Sequence, residues 1–183
     1  EELGITNAGY RDISQYRDVE SLNYYEILLS QGKSHEEALD ILSARSRDNG
    51  RTPMQWTDGK NAGFSEVSPW IGLPENYNTI NAESEAADKD SILSFYKALI
   101  CLRKENPVIA EGEIEFLHQE NPDVLAYKRT RGGEELLVLC NFRDREVAVE
   151  ELSQEGYHKV LGNYKDCARS LRPYEAVVLG RGV

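Results

Sequence analysis

Positive charge is in short supply in this chain. It carries 21 lysines and arginines against 32 aspartates and glutamates, a formal net charge of −11. That balance excludes a general nucleic-acid binder, whose affinity comes largely from an excess of cations against phosphate. Cysteine is scarce too: Cys101, Cys140 and Cys167 are odd in number, widely spaced and without a CxxC pair. Such usage points to reduced thiols in a cytoplasmic protein and away from a disulfide framework. No apolar run approaches the roughly 20 residues that a membrane span needs, so no membrane partner is expected. The three histidines, His35, His118 and His158, show no metal-ligand spacing, and Gly132-Gly133 reads as a turn without any GxxxxGK phosphate loop. Neither a metal nor a cofactor is expected.

What is present is enough for one to two domains: 183 residues with 40% hydrophobic content. Glu20 to Gln31 carries Leu22, Tyr25, Leu28 and Leu29 at helical spacing and stops at Gly32, a suitable left-handed cap. Ser34 with Glu37 makes a capping-box pattern that opens a second helix, with Ala38, Leu39, Ile41 and Leu42 on one face. An acidic opening from Asp88 leads into a third helix through Ile92, Phe95, Tyr96, Leu99, Ile100 and Leu102, closed by Arg103 and Lys104 before Asn106-Pro107. Glu83, Glu85, Asp88 and Asp90 read as a solvated face and cap of that helix.

Beyond Pro107 the period becomes two. Ile114 and Phe116 alternate with glutamates, residues 124–129 alternate in the same way, and Gly132-Gly133 turns the chain into a strand over 136–142. Further strands are expected at 146–152, 157–161 and 174–179. Short strands separated by turn signals indicate an antiparallel sandwich. The boundary is placed near Pro107, giving domains 1–106 and 107–183.

Between the second and third helices lies the segment RSRDNGRTPMQW, Arg45 to Trp56, running on through Asn61-Ala62-Gly63-Phe64 to Pro69-Trp70-Ile71. It is rich in Arg, Trp and amide side chains and lacks strand or helix periodicity over most of its length. Long irregular segments inside compact domains are usually functional. Flat apolar faces interleaved with rigid donors suit a polyhydroxylated ligand. On the residues alone, a sugar site and a well-packed surface loop both remain open. Trp56 and Trp70 are expected to anchor the loop by burial rather than to stack on sugar.

The same words in the same order resemble the segment after the eighth barrel strand in the α-glucosidase group of the α-amylase superfamily, which holds oligo-1,6-glucosidases, dextran glucosidases and trehalose-6-phosphate hydrolases. Glu1-Glu2-Leu3-Gly4 resembles the end of a QGEELG element, and Tyr16-Arg17-Asp18-Val19-Glu20 a YRDVE word. Asn76-Tyr77 with Ile80-Asn81, and Leu171 to Ala176 reading LRPYEA, complete a match along the whole chain. The implied fold class is α+β: the helical end of a (β/α)8 barrel, its last βα loop and last helix, followed by a C-terminal antiparallel β-sandwich.

The resemblance also implies an α-linked gluco-oligosaccharide substrate and a retaining mechanism with two carboxylates, neither of which falls on a residue present here. The chain therefore reads as a fragment that opens inside a motif, is inactive alone, and exposes apolar helix faces that favour self-association. Arg47 matches the arginine that holds the non-reducing glucose and helps keep a catalytic carboxylate ionised. Glu20 matches a position that contacts the leaving sugar, against the alternative of a glutamate favoured by the helix dipole. Asp48 and Arg51 are read as a supporting shell, and Gly50 stands where the family usually shows a small side chain. The activity implied is hydrolysis of α-1,6 bonds, with α-1,4 as a second linkage. A trehalose-6-phosphate hydrolase, a non-catalytic carbohydrate-binding module and, more distantly, a sucrose isomerase are the alternatives.

Overall fold

A computed structural model describes residues 2–153 and 155–183; Glu1, the first letter of the QGEELG-like word, lies outside the described residues. The chain divides into two compact units, Glu1–Tyr96 and Lys97–Val183.

In the first unit, α1 (Val19–Ser30) begins at Asp18, whose side chain caps the amide of Ser21, and ends before Gly32 at φ +85°. Helix α2 (His35–Arg45) opens with the expected capping box. The Glu37 amide donates to the Ser34 hydroxyl at 3.2 Å, and the Ser34 amide donates to the Glu37 carboxylate at 2.9 Å. Tyr25 and Leu28 of α1 meet Ala38 and Leu42 of α2 in a core shared with Tyr10, Tyr16 and Ile71. The two tyrosine rings pack edge to face at 5.4 Å. Leu22, by contrast, is exposed, as are Val19, Tyr24 and Ile27 on the rest of α1.

One further helix and the first residues of another complete this unit, which ends at Tyr96 within that second helix. A short helix α3 (Ala82–Ala87), capped by Asn81, precedes α4 (Ile92–Glu105), so the acidic stretch holds a helix of its own that periodicity did not reveal. The Glu85 carboxylate accepts from the amide of Leu93 and Asp88 accepts from Asp90, so two of these acids act as local caps. Ile92, Tyr96 and Ile100 of α4 are exposed.

The second unit is a five-stranded antiparallel sheet in the order β1-β2-β3-β5-β4: β1 (Glu113–Leu117), β2 (Val124–Arg131), β3 (Glu134–Asn141), β4 (His158–Gly162) and β5 (Ala176–Arg181). Gly132 and Gly133, at φ +58° and +94°, supply the two left-handed positions of the β2–β3 hairpin. The register Val124↔Asn141, Ala126↔Leu139 and Leu139↔Val177 puts Val124, Ala126, Leu137, Leu139, Val177 and Leu179 on one face. That face packs on Val149 and Leu171. The expected strand over 146–152 is corrected: only Val147 pairs, with Leu171, and the chain then winds into a 3-10 turn at Glu150–Ser153. A short helix α5 (Pro107–Glu111), with proline at its first turn, precedes β1 where only alternation was expected.

The LRPYEA word is a clasp for this unit. Leu171 is fully buried, and the Arg172 guanidinium donates to both oxygens of the buried Glu175 (3.0 and 2.8 Å) and to Asp166 (2.7 Å) while stacking 4.0 Å over Tyr164. Among the described residues no helix is long and apolar enough to cross a membrane.

Candidate functional site

The three polar residues of the RDN word divide their work. Asp48 is fully buried at the start of a 3-10 turn, Arg47–Gly50, that begins from Ser46. Its carboxylate accepts the backbone amides of Arg17 at 2.7 Å and Asp18 at 3.0 Å. Asn49 accepts from the Ala8 amide at 3.1 Å and donates to the Ser43 carbonyl at 2.9 Å. Arg47, between Ser46 and Asp48, is exposed and has no hydrogen bond or ion pair among the described residues. The word thus fixes a backbone by its buried acid and amide and leaves the Arg47 side chain exposed, with its charge acting on Asp18.

The same bonds set the neighbouring word. By accepting from Arg17 and Asp18, Asp48 pins the last residues before α1, and Glu20 falls in that helix's exposed first turn. Glu20 and Arg47 consequently line one open groove of about 680 Å³, together with Asn23, Tyr24, Ile27 and Arg45. Its size lies within the roughly 300–1,000 Å³ usual for small-ligand sites. The groove offers guanidinium and amide donors, a carboxylate acceptor and an aromatic face. Arg51, the other expected supporting residue, lies 3.8 Å from the second Asp48 oxygen, which has no hydrogen-bond donor of its own.

Asp18 belongs to this assembly although sequence reasoning singled it out only as a letter of YRDVE. Burial pushes its carboxyl up, but hydrogen bonds from the Ser21 hydroxyl and amide outweigh that, and the Arg51 and Arg47 charges add to them. Together they hold it below the usual Asp range. Ser21 and Ser46 were missed as well. The available signal was the spacing Asp18-x-x-Ser21, an N-cap pattern, and a serine directly before RDN.

Trp56 and Trp70 do not anchor the loop in this chain: they are 52% and 68% exposed. The anchors are Gln55, Ala62 and Ile71, all essentially inaccessible. The Gln55 carbonyl accepts the Ala82 amide at 2.9 Å and the Ala62 carbonyl accepts the amides of Trp56 and Thr57. These are main-chain bonds; the Gln55 side-chain amide adds a further bond, donating to the Ile80 carbonyl. Tyr10, whose hydroxyl donates to the Gly72 carbonyl at 2.7 Å, ties the end of the segment to the core. Burial first, and the Asp48 charge second, push the Tyr10 hydroxyl's pKa up. No group of three or more His, Cys, Asp or Glu side chains suited to a metal exists among the described residues.

Residues 1–112 match the family model described as alpha amylase, catalytic domain, and residues 114–165 the maltogenic amylase C-terminal domain. The chain is 42% identical to the trehalose-6-phosphate hydrolase of Escherichia coli (strain K12), over 97% of its own length and 33% of that protein's. It is 40% identical to the oligo-1,6-glucosidase of Bacillus cereus, again over 97% of the chain and 34% of the relative. Its fold superimposes on the crystal structure of Bacillus licheniformis trehalose-6-phosphate hydrolase with a TM-score of 0.89 at 42% identity, covering 98% of this chain and 34% of that one. The chain therefore spans about a third of the length of the relatives it matches.

Proposed function

Because the chain belongs to the α-amylase family, with residues 1–112 matching that family's catalytic domain, we propose that it is the sugar-contacting C-terminal part of a retaining glycoside hydrolase. The enzyme cleaves α-1,6-glucosidic bonds of short oligosaccharides from the non-reducing end, with α-1,4 bonds as a second linkage. One observation carries this reading: Arg47 and Glu20, from two family words far apart in sequence, line the same groove. Arg47 donates to a hydroxyl of the non-reducing glucose and helps hold a catalytic carboxylate ionised. Glu20 accepts from a hydroxyl of the leaving sugar. Asp48 and Arg51 keep the turn that carries Arg47 in place.

Retention requires a nucleophile and an acid/base carboxylate roughly 5–5.5 Å apart. No residue here matches either, so the isolated chain turns over nothing. The proposed division is 1–106, barrel remnant, and 107–183, the domain that holds the antiparallel sheet; α4 ends at Glu105, next to that boundary, while the compact units part earlier, between Tyr96 and Lys97. A cytoplasmic location is supported by three free thiols, Cys101, Cys140 and Cys167. The partner is a neutral gluco-oligosaccharide, with no role for nucleic acid or membrane.

A second reading, hydrolysis of trehalose 6-phosphate, is favoured by Arg45, a further cation in the groove. The test is a chimera in which this chain replaces the matching segment of the Bacillus cereus oligo-1,6-glucosidase. The proposal expects isomaltose turnover that falls about 100-fold in kcat/KM on Arg47→Ala, the scale of one lost charge-assisted hydrogen bond. Turnover of trehalose 6-phosphate alone selects the second reading. Undiminished activity of the Arg47→Ala chimera on both substrates removes the role assigned to Arg47.

A further inference from the structure

Asp18, Ser21, Ser46 and Asp48 are all buried, and their hydrogen bonds close a ring between the two words that bound the groove. The Asp18 amide donates to the Asp48 carboxylate at 3.0 Å. The Asp48 amide donates to the Ser46 hydroxyl at 3.2 Å. The Ser46 and Ser21 hydroxyls lie 2.9 Å apart. The Ser21 hydroxyl reaches an Asp18 carboxylate oxygen at 2.8 Å, and the Ser21 amide reaches the same oxygen at 3.1 Å.

Counting protons gives the ring a direction. A hydroxyl has one proton to donate and an ionised carboxylate has none. With Asp18 ionised, the Ser21 proton must point to it, and the short Ser21–Ser46 contact is then filled by the Ser46 proton. Ser46 still accepts the Asp48 amide on a lone pair. Every donor on this arc thus points the same way, from the Asp48 amide toward the Asp18 carboxylate, and such chains polarise one another.

We infer that Ser21 and Ser46 are positioning residues: through this ring they fix the first turn of α1, which carries Glu20, against the turn that carries Arg47, and so set how the two face a sugar. This rests on the reading of Glu20 and Arg47 as sugar-facing groups. The pairing could have been left to packing alone, yet four polar groups are buried to make it, at a desolvation cost that the hydrogen bonds of the ring offset in part, with the second Asp48 oxygen facing only the Arg51 guanidinium at 3.8 Å. The charges facing Asp18 are the Arg47 and Arg51 guanidiniums and the Asp48 carboxylate, with Tyr10 and Tyr16 near Asp48.

The test uses NMR on the full 183-residue chain without ligand. In the wild type, acidification is expected to move the Asp48 amide resonance with the same midpoint as the Asp18 carboxyl carbon. In Ser46→Ala the Asp18 midpoint rises, although residue 46 does not touch that carboxylate, and the Asp48 amide no longer follows it. Residual dipolar couplings from residues 19–22 and 47–50 then cease to fit one common orientation. Ser21→Ala has the same effect on the couplings, and the double variant adds little to either single one. An Asp48 amide that ignores the Asp18 titration in the wild type overturns the inference, and this arm needs no variant to fold. So do couplings and a midpoint unchanged in Ser46→Ala. A separate isomaltose titration bears on the sugar reading and leaves the ring result as it stands.

Discussion

The Asp48 carboxylate accepts the backbone amide of Asp18 at 3.0 Å, joining two segments thirty residues apart (|i−j| = 30) in a site closed to solvent. A buried donor left without its acceptor costs about 1–3 kcal/mol. Asp48→Ala orphans the amides of both Arg17 and Asp18, so a loss of about 2–4 kcal/mol from the first unit is expected. Urea unfolding followed by tryptophan fluorescence measures it, since both tryptophans, Trp56 and Trp70, lie in that unit.

The helix cap gives a smaller and cleaner number. Ser34 and Glu37 satisfy each other's amides at the start of α2, in an exposed setting where little repacking follows substitution. Ser34→Ala is expected to cost about 1 kcal/mol. The same substitution should leave the second unit's unfolding midpoint where it was.

In the second unit, Leu139 is 0% exposed at the centre of the packed face. Leu139→Ala is expected to cost about 2–5 kcal/mol, the transfer loss plus the cavity left behind. Loss of the amide NMR resonances of β2, β3 and β5 in urea reads this unit. A cost below about 1 kcal/mol would mean that the face is not the core it looks to be.

Acid should loosen the clasp at Glu175. Burial pushes this carboxyl up, but the Arg172 guanidinium and amide hydrogen bonds, with the Arg172 charge, hold it below the usual Glu range. A folded-state pKa below the unfolded value makes a contribution that is fully present above about pH 4–5 and is lost as pH falls through the folded value. Stability of the second unit is therefore expected to decline on acidification below that range. Glu175→Gln should reduce the slope. Comparing urea midpoints at neutral and acid pH for both proteins checks the sign, with Asp123 and Glu135, also held low by arginine partners, supplying the remaining slope in the variant.

Much of this was legible in the sequence. The Ser34/Glu37 cap, Gly32, and the Gly132-Gly133 turn are local signals, and each sits where its own chemistry requires. The strand expected over 146–152 was not a local matter. Val147 and Val149 alternate as in a strand, but they cover the sheet and do not extend it; only the Val147–Leu171 bridge forms. The helix α3 was hidden by its composition, being capped by Asn81 and made of alanine, two glutamates and Ser84 with no apolar stripe to detect.

At the groove the pattern is the reverse. The family words singled out Arg47 and Glu20 as candidates, and their place in one groove follows from caps that a sequence does not connect. Nothing in YRDVE or RDN by itself says that the acid of one accepts the amide of the other. The tryptophans show the opposite error: bulk and apolarity suggested anchors, whereas Gln55 and Ala62 take the buried positions and the loop is held there by main-chain bonds.

The proposed function requires that Glu20 and Arg47 face a sugar together. The most direct measurement is an NMR titration of the chain with isomaltose, repeated on Arg47→Ala. Amide and side-chain shifts are expected to concentrate at Glu20, Asn23 and residues 45–47 and to be lost in the variant. Shifts that fall elsewhere, or that persist unchanged without the Arg47 guanidinium, would contradict that function.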